Sequence, residues 1–217
     1  MTKVKICGIN DAAAFDAAVG AGADWVGFNF FPASPRFISP QTAATLSRRA
    51  AAGPPRVGLF VEPSDALLAS VLDFLRLDIL QIYGRLNDIA SLKAKFGLPI
   101  WRPVGVAAPA DLPVDPSSAD ALLIEAKPPA EATRPGGNAI LVDWPILRGW
   151  IAPAPWLLAG GLTPNNVRTA IQLTGADAVD VSSGVERTTG VKDPDLIRAF
   201  IQQAKHASTC SEADQPE

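Results

Sequence analysis

The chain contains one histidine, His206, and only two cysteines, Cys7 and Cys210. These scarcities exclude much chemistry. With the lone imidazole near the C-terminus, a histidine-based triad, a histidine-rich metal site and a histidine base elsewhere in the chain are ruled out. Two thiols are too few for a zinc site built from four thiolates. The cysteines lie at opposite ends of the chain, so a reducing compartment is expected rather than a disulfide framework. There is no run of about 18 apolar residues of the kind a spanning helix needs. The opening residues, Met1 to Lys5, carry no apolar stretch resembling a signal peptide. The net charge is only −3 with both signs scattered, which provides neither a nucleic-acid surface nor a membrane surface. The expectation is a cytoplasmic protein with no nucleic-acid or membrane partner.

What the chain does have is enough material for one sizeable core: 217 residues, 48% hydrophobic. Short β-branched and apolar runs alternate with Ala/Leu-rich stretches. Strands are predicted at residues 4–7, 25–30, 56–61, 78–83, 100–106, 121–125, 156–159 and 178–182. A helix follows the first strand from Asn10 or Asp11 to Gly20 or Gly22. Ser39-Pro40 and Thr163-Pro164 each read as an N-cap followed by proline at the first helical position, and Ser64 as a further cap. Helices are also predicted at 87–96 and 193–205, with a short one near 145–150. Residues 107–118 are rich in Pro, Ala and Asp, so the fifth helix is short or missing. Residues 127–138 form a Pro/Gly-rich loop.

Eight strands, each followed by a helix or its remnant, imply a parallel sheet that right-handed crossovers can close. The predicted fold is a single-domain α/β protein, a (β/α)8 barrel with a reduced fifth helix, spanning residues 1–207. Residues 208–217 are expected to be a disordered tail. An open doubly wound sheet is the alternative, but the Gly-x-Gly-x-x-Gly turn of a dinucleotide fold is absent after the first strand.

Alternation with period two places Lys5, Cys7, Asn29, Gln81, Tyr83, Arg102, Glu125, Asp180 and Ser182 inside the barrel. Val26, Phe28, Ile82, Leu122, Ile124, Val179 and Val181 would face the helices. Buried charge is costly unless paired, so internal pairs of Lys5 with Asp180 and Arg102 with Glu125 are expected. Barrel active sites lie at the C-terminal strand ends, where Cys7, Glu125 and Asp180 fall.

Four segments carry candidate chemistry. In Lys5-Ile6-Cys7-Gly8-Ile9, a thiol ends a strand and can serve as nucleophile or base; a buried structural cysteine is the plainer alternative. Arg36, in the loop after the second strand, could pair with a carboxylate, or simply be a solvated surface residue. Gly160 and Gly161 follow the seventh strand, and Ser182, Ser183 and Gly184 follow the eighth. Loops at those two positions are the recurrent phosphate site of such barrels, although tight turns alone also explain glycines.

Taken together, residues 5–9, 34–36, 57–60, 81–84, 136–137, 143–144, 159–166, 180–186 and 190–193 resemble the phosphoribosylanthranilate isomerase family, in order along the chain. The resemblance implies an Amadori rearrangement in tryptophan biosynthesis, turning N-(5-phosphoribosyl)anthranilate into 1-(2-carboxyphenylamino)-1-deoxyribulose 5-phosphate without metal or cofactor. It further implies Cys7 as general base, Glu125 as general acid, Arg36 on the anthranilate carboxylate, Asp180 orienting the sugar, and Gly160, Gly161, Ser182, Ser183 and Gly184 on the phosphate. The chain departs from the family at Glu125, where Asp is usual, at Tyr83, where His is usual, and at Gly136-Gly137-Asn138-Ala139, where Gly-Gly-Thr-Gly is usual. The resemblance leaves the choice between monomer and homodimer open.

Competing enzymes fit less well. Indoleglycerol-phosphate synthase needs lysines on early strands, and none lies between Lys5 and Lys93. Histidine-pathway isomerases use an aspartate pair on strands one and five, whereas Cys7 ends strand one. A Schiff-base aldolase would have only Lys127 at a strand end. A non-catalytic phosphoribosyl-binding barrel, and an isomerase of the histidine-pathway aminoaldose, stay as alternatives.

Overall fold

The computed structural model describes residues 1–129, 136 and 140–207. The predicted tail, and Gly137-Asn138-Ala139 of the loop, lie outside the described residues. Eight parallel strands close into a barrel in sequence order: β1 (Lys3–Cys7), β2 (Trp25–Asn29), β3 (Arg56–Val61), β4 (Ile79–Tyr83), β5 (Ile100–Val106), β6 (Ala121–Ala126), β7 (Trp156–Leu158) and β8 (Ala178–Val181). A two-stranded antiparallel hairpin, β9 (Glu186–Thr188) and β10 (Val191–Lys192), follows β8.

Outside the barrel lie α1 (Ala12–Gly20), α2 (Pro40–Ser47), α3 (Asp65–Phe74), α4 (Ile89–Phe96), α5 (Val167–Thr174) and α6 (Pro194–His206). Most start where capping chemistry requires. Asp11 accepts from the Ala14 N–H, Ser39 from Thr42, Ser64 from Leu67, and Asp193 from Asp195 and Leu196. The predicted reduction after β5 is complete: the crossover holds one 3-10 turn, Pro109–Asp111, whose Asp111 carboxylate accepts from the N–H groups of Ala107 and Ala108. A second 3-10 turn, Trp144–Leu147, stands where the short helix was expected. Thr163-Pro164 does not start α5. Asn166 turns its side chain back onto the Thr163 N–H and the Gly161 carbonyl, and the helix begins at Val167. Among the described residues no helix is long and apolar enough to cross a membrane.

Two apolar groups hold the barrel. Val4, Ile6, Val26, Phe28, Leu80, Ile124 and Val179 point outward into the layer containing Phe15 of α1 and Phe200 of α6. Inside, Val57, Ile79, Trp101, Ala121, Leu123, Leu157 and Ala178 form an apolar floor with Trp25. Trp25 and Trp101 meet edge to face, centroids 5.1 Å apart, a favoured aromatic geometry. Polar side chains are left for the layers above this floor.

One inward assignment fails. Trp101 pairs in register with Gln81 and with Ala121, so it takes the inward position on β5. Arg102 is therefore turned outward beside Leu122, where it donates to the Ser117 hydroxyl. The expected Arg102–Glu125 pair does not form. The Nε of Arg102 is buried without a hydrogen-bond partner, and an orphaned buried donor costs stability. Arg102→Met keeps most of the packing and removes that donor. Urea unfolding should find it neutral or stabilising, within about 1 kcal/mol, and a loss of several kcal/mol would contradict the outward placement.

Candidate active site

Above the floor, β1, β4 and β8 bring together an ion pair sealed from solvent. Lys5 is wholly buried and donates to Asp180 at 2.8 Å and to Gln81 at 2.9 Å. Register places Lys5 directly opposite Asp180. Burial opposes the ammonium charge, but Asp180 and Cys7 outweigh it and raise the Lys5 pKa. The predicted Lys5–Asp180 pair is thus present.

At the strand tips these residues open into a cleft. Cys7, Arg36, Tyr83, Glu125, Gly160, Gly161, Asp180, Ser182 and Ser183 all line it. Gly184 is not among the lining residues. A Cβ at Gly184 would stand 1.7 Å from the Leu162 carbonyl oxygen, so this glycine lets the loop after β8 lie against the loop after β7. Gly160 and Gly161 hold positive φ angles of 83° and 64°, which glycine adopts without steric cost.

Burial dominates the electrostatics of both candidate proton-transfer groups. It pushes the Cys7 thiol up, with Lys5 opposing and Asp180 adding to the rise. It pushes the Glu125 carboxyl from its ordinary 4.5 up to about 8; a hydrogen bond from Tyr83 and the charge of Lys5 oppose the rise, and Asp180 reinforces it. The carboxyl therefore holds its proton at neutral pH, the state required of an acid.

Arg36 is buried, not a solvated loop residue. Its Nε and Nη2 clasp both oxygens of Glu186 at 2.6 and 3.0 Å. Glu186 also accepts from Lys192 at 2.9 Å and from the Gly190 N–H at 3.0 Å. Burial works against the Glu186 charge, but these donors prevail and hold its pKa down at about 2. Lys192, buried in turn, donates to the Ser182 carbonyl at 2.8 Å. Asn29 and Ser34 fix the loop beneath: Asn29 Nδ2 donates to Ser34 Oγ, which also accepts the Arg36 N–H.

Sequence reasoning gave no role to Glu186, Lys192 or Ser34, and placed Asn29 inward and noted Gly136 without assigning either a function. Glu186 and Lys192 stand in the segments that carry the family resemblance, but nothing local shows that Glu186 meets Arg36, some 150 residues away. No group of three or more His, Cys, Asp or Glu that could hold a metal ion occurs among the described residues.

Residues 4–203 match the family profile described as N-(5'phosphoribosyl)anthranilate (PRA) isomerase. The chain belongs to this family. The N-(5'-phosphoribosyl)anthranilate isomerase of Acidiphilium cryptum is 52% identical over 208 residues, covering 96% of this chain and all of that one. The crystal structure of the enzyme from Thermotoga maritima superposes with a TM-score of 0.80 at 33% identity, covering 94% of this chain and 99% of the other. A further solved phosphoribosyl anthranilate isomerase, in complex with reduced 1-(o-carboxyphenylamino)-1-deoxyribulose 5-phosphate, superposes at 0.78 with 33% identity and the same coverage. The chain is an isomerase of tryptophan biosynthesis.

A carboxyl kept protonated by burial is a cost to the fold. Between pH 4.5 and about 8 the folded isomerase must keep a proton at Glu125 that the unfolded chain releases, so stability falls as pH rises through that window. Glu125→Gln should raise stability near neutral pH by about 3 kcal/mol. The gain should disappear near pH ~4, where both states are protonated. Urea unfolding at the two pH values measures the difference, and a destabilised variant at neutral pH would refute the assignment.

Proposed function

We propose that this isomerase opens and rearranges the ribose of N-(5'-phosphoribosyl)anthranilate with Glu125 as general acid and Cys7 as general base. The observation carrying this reading is that a protonated buried carboxyl and a thiol line one cleft with the glycine-containing loops after β7 and β8. Glu125 gives its proton to the furanose ring oxygen as the C1–O bond breaks, leaving a Schiff base between C1 and the anthranilate nitrogen. Cys7, as thiolate, takes the proton from C2. The electron pair of that C–H bond moves into a C1–C2 double bond, giving an enolamine that tautomerises to the ketose. The Lys5 ammonium, whose charge lowers the Cys7 pKa, favours the thiolate.

Arg36 serves the anthranilate carboxylate. A guanidinium offers two two-donor edges. Glu186 takes the Nε/Nη2 edge, which fixes the plane of the group, and leaves the Nη1/Nη2 edge for the substrate. The bound compound in the solved relative carries both a carboxyphenyl group and a 5-phosphate. We assign the carboxylate to Arg36 and the phosphate to the backbone of Gly160, Gly161, Ser182 and Ser183, with Gly184 holding the two loops together. Asp180, fixed by Lys5, orients the sugar. The same reading places the reaction in the cytoplasm, in a monomer or homodimer that needs no cofactor.

Turnover, followed by the loss of substrate fluorescence, tests the assignment. Cys7→Ala and Glu125→Gln should each lose about 10²- to 10⁴-fold in kcat, while Glu125→Asp should retain part of the activity. A folded wild type that binds a product analogue without turnover would leave only a binding barrel. Arg36→Lys should raise KM about tenfold or more, and should have no such effect on an analogue lacking the carboxylate.

The pH profile follows from the same two groups. The productive form carries a thiolate on Cys7 and a proton on Glu125. Both groups are raised, so the thiolate is scarce at neutral pH and grows with pH until Glu125 begins to ionise at about 8. Accordingly kcat/KM should climb to about pH 8 and level off there. A flat profile below that point would remove Cys7 as the base.

A further inference from the structure

The family's usual acid is a shorter carboxylic acid than Glu125, and its usual residue before the glycine at the end of the fourth strand is not tyrosine. In this chain the two changes meet. Tyr83, at the tip of β4, and Glu125, on β6, line the same cleft, and the phenol opposes the rise of the Glu125 pKa. Gly136 lies directly over the contact: a Cβ there would stand 2.4 Å from the Tyr83 hydroxyl and 3.0 Å from each Glu125 carboxyl oxygen. Only a glycine can cap the pair so closely.

We infer that Tyr83 is the positioning residue of the acid, its hydroxyl holding the long Glu125 carboxyl in one orientation beneath Gly136. This rests on Glu125 being the acid. The phenol is itself no competing acid, because burial first, and then the nearby Glu125, Cys7 and Asp180, push its pKa well above 10. It remains a neutral donor throughout the working range. Its hydrogen bond strengthens when Glu125 releases its proton, since a donor bonds a carboxylate more strongly than a carboxylic acid. Tyr83 thus eases the step that burial resists, while the other charged groups facing Glu125, Lys5 on β1 and Asp180 on β8, act in opposite directions and hold each other.

The chain contains a single tyrosine, so growth on 3-fluorotyrosine labels Tyr83 alone. Its ¹⁹F resonance should titrate at about pH 8, following Glu125, and the titration should vanish in Glu125→Gln. In Tyr83→Phe the break in the kcat/KM profile should move to higher pH, and kcat should fall about tenfold with little change in KM. In a Glu125→Asp background, where the carboxyl is a methylene shorter, Tyr83→Phe should add little. Gly136→Ala, a loop substitution that pushes on the hydroxyl, should shift the ¹⁹F titration in the same sense as loss of the bond. A ¹⁹F titration that persists in Glu125→Gln, or a kcat/KM break unmoved in Tyr83→Phe, overturns the positioning role. Turnover surviving in Glu125→Gln would remove the acid itself, and is distinguished by a ¹⁹F titration that still depends on residue 125.

Discussion

The site is organised around a charge placed inside the barrel. Lys5 has no exposed surface and depends on Asp180 and Gln81 for its hydrogen bonds. Such a pair contributes little net stability, but removing one partner strands the other and costs about 3–5 kcal/mol. The pair spans the seam where β8 meets β1 and stands at the boundary between the tryptophan-sealed floor and the polar mouth. Its electrostatic effect is balanced. Lys5 lowers the pKa values of Cys7 and Glu125, and Asp180 raises both. Because these opposed charges sit together, burial decides the protonation of each group. A site with an unpaired lysine here would draw the proton from Glu125.

The sequence was informative wherever a residue's role depends on local chemistry. Asp11, Ser39 and Ser64 cap helices through hydrogen bonds within four residues of themselves. Strand alternation placed Cys7, Gln81, Glu125 and Asp180 at the cleft for the same reason: the pleat has period two and each strand has an apolar outer face. It failed on β5. There Trp101 and Arg102 are adjacent, and a search for interior polar groups favours the arginine. The interior at that level is apolar floor, so the indole goes in and the guanidinium out. That level is a property of the closed barrel and cannot be read from seven residues. Thr163-Pro164 failed differently. A cap signal was present, but Asn166 folds its side chain back to accept the Thr163 N–H, and the helix begins only after it. The grip of Glu186 on Arg36, with Lys192 on the far side of the carboxylate, was out of reach because it joins chain segments separated by almost the whole barrel.

The mouth divides into two unlike halves. Around β1, β2, β7 and β8 the loops interlock through contacts that tolerate no side chain. Gly184 lies on the Leu162 carbonyl, and Gly190 approaches the Pro35 carbonyl so that a Cβ would come to 2.5 Å. Asn10 donates to the Gly190 carbonyl at 3.0 Å. Arg36, Glu186 and Lys192 tie the same loops by charge. Every group assigned to the two anionic ends of the substrate belongs to this half, so its donors are aimed before the substrate arrives and little binding energy is spent ordering them. Glu125, the proposed acid, belongs to the other half, where it lies with the Tyr83 phenol beneath Gly136. Fixed anchors at both ends of a small sugar determine where its ring oxygen falls. On the proposed assignment the Glu125 carboxyl must then be brought to that point, which a flexible side chain does best when a neighbour limits its freedom. The positioning role proposed for Tyr83 would then originate in the rigidity of the opposite side of the barrel.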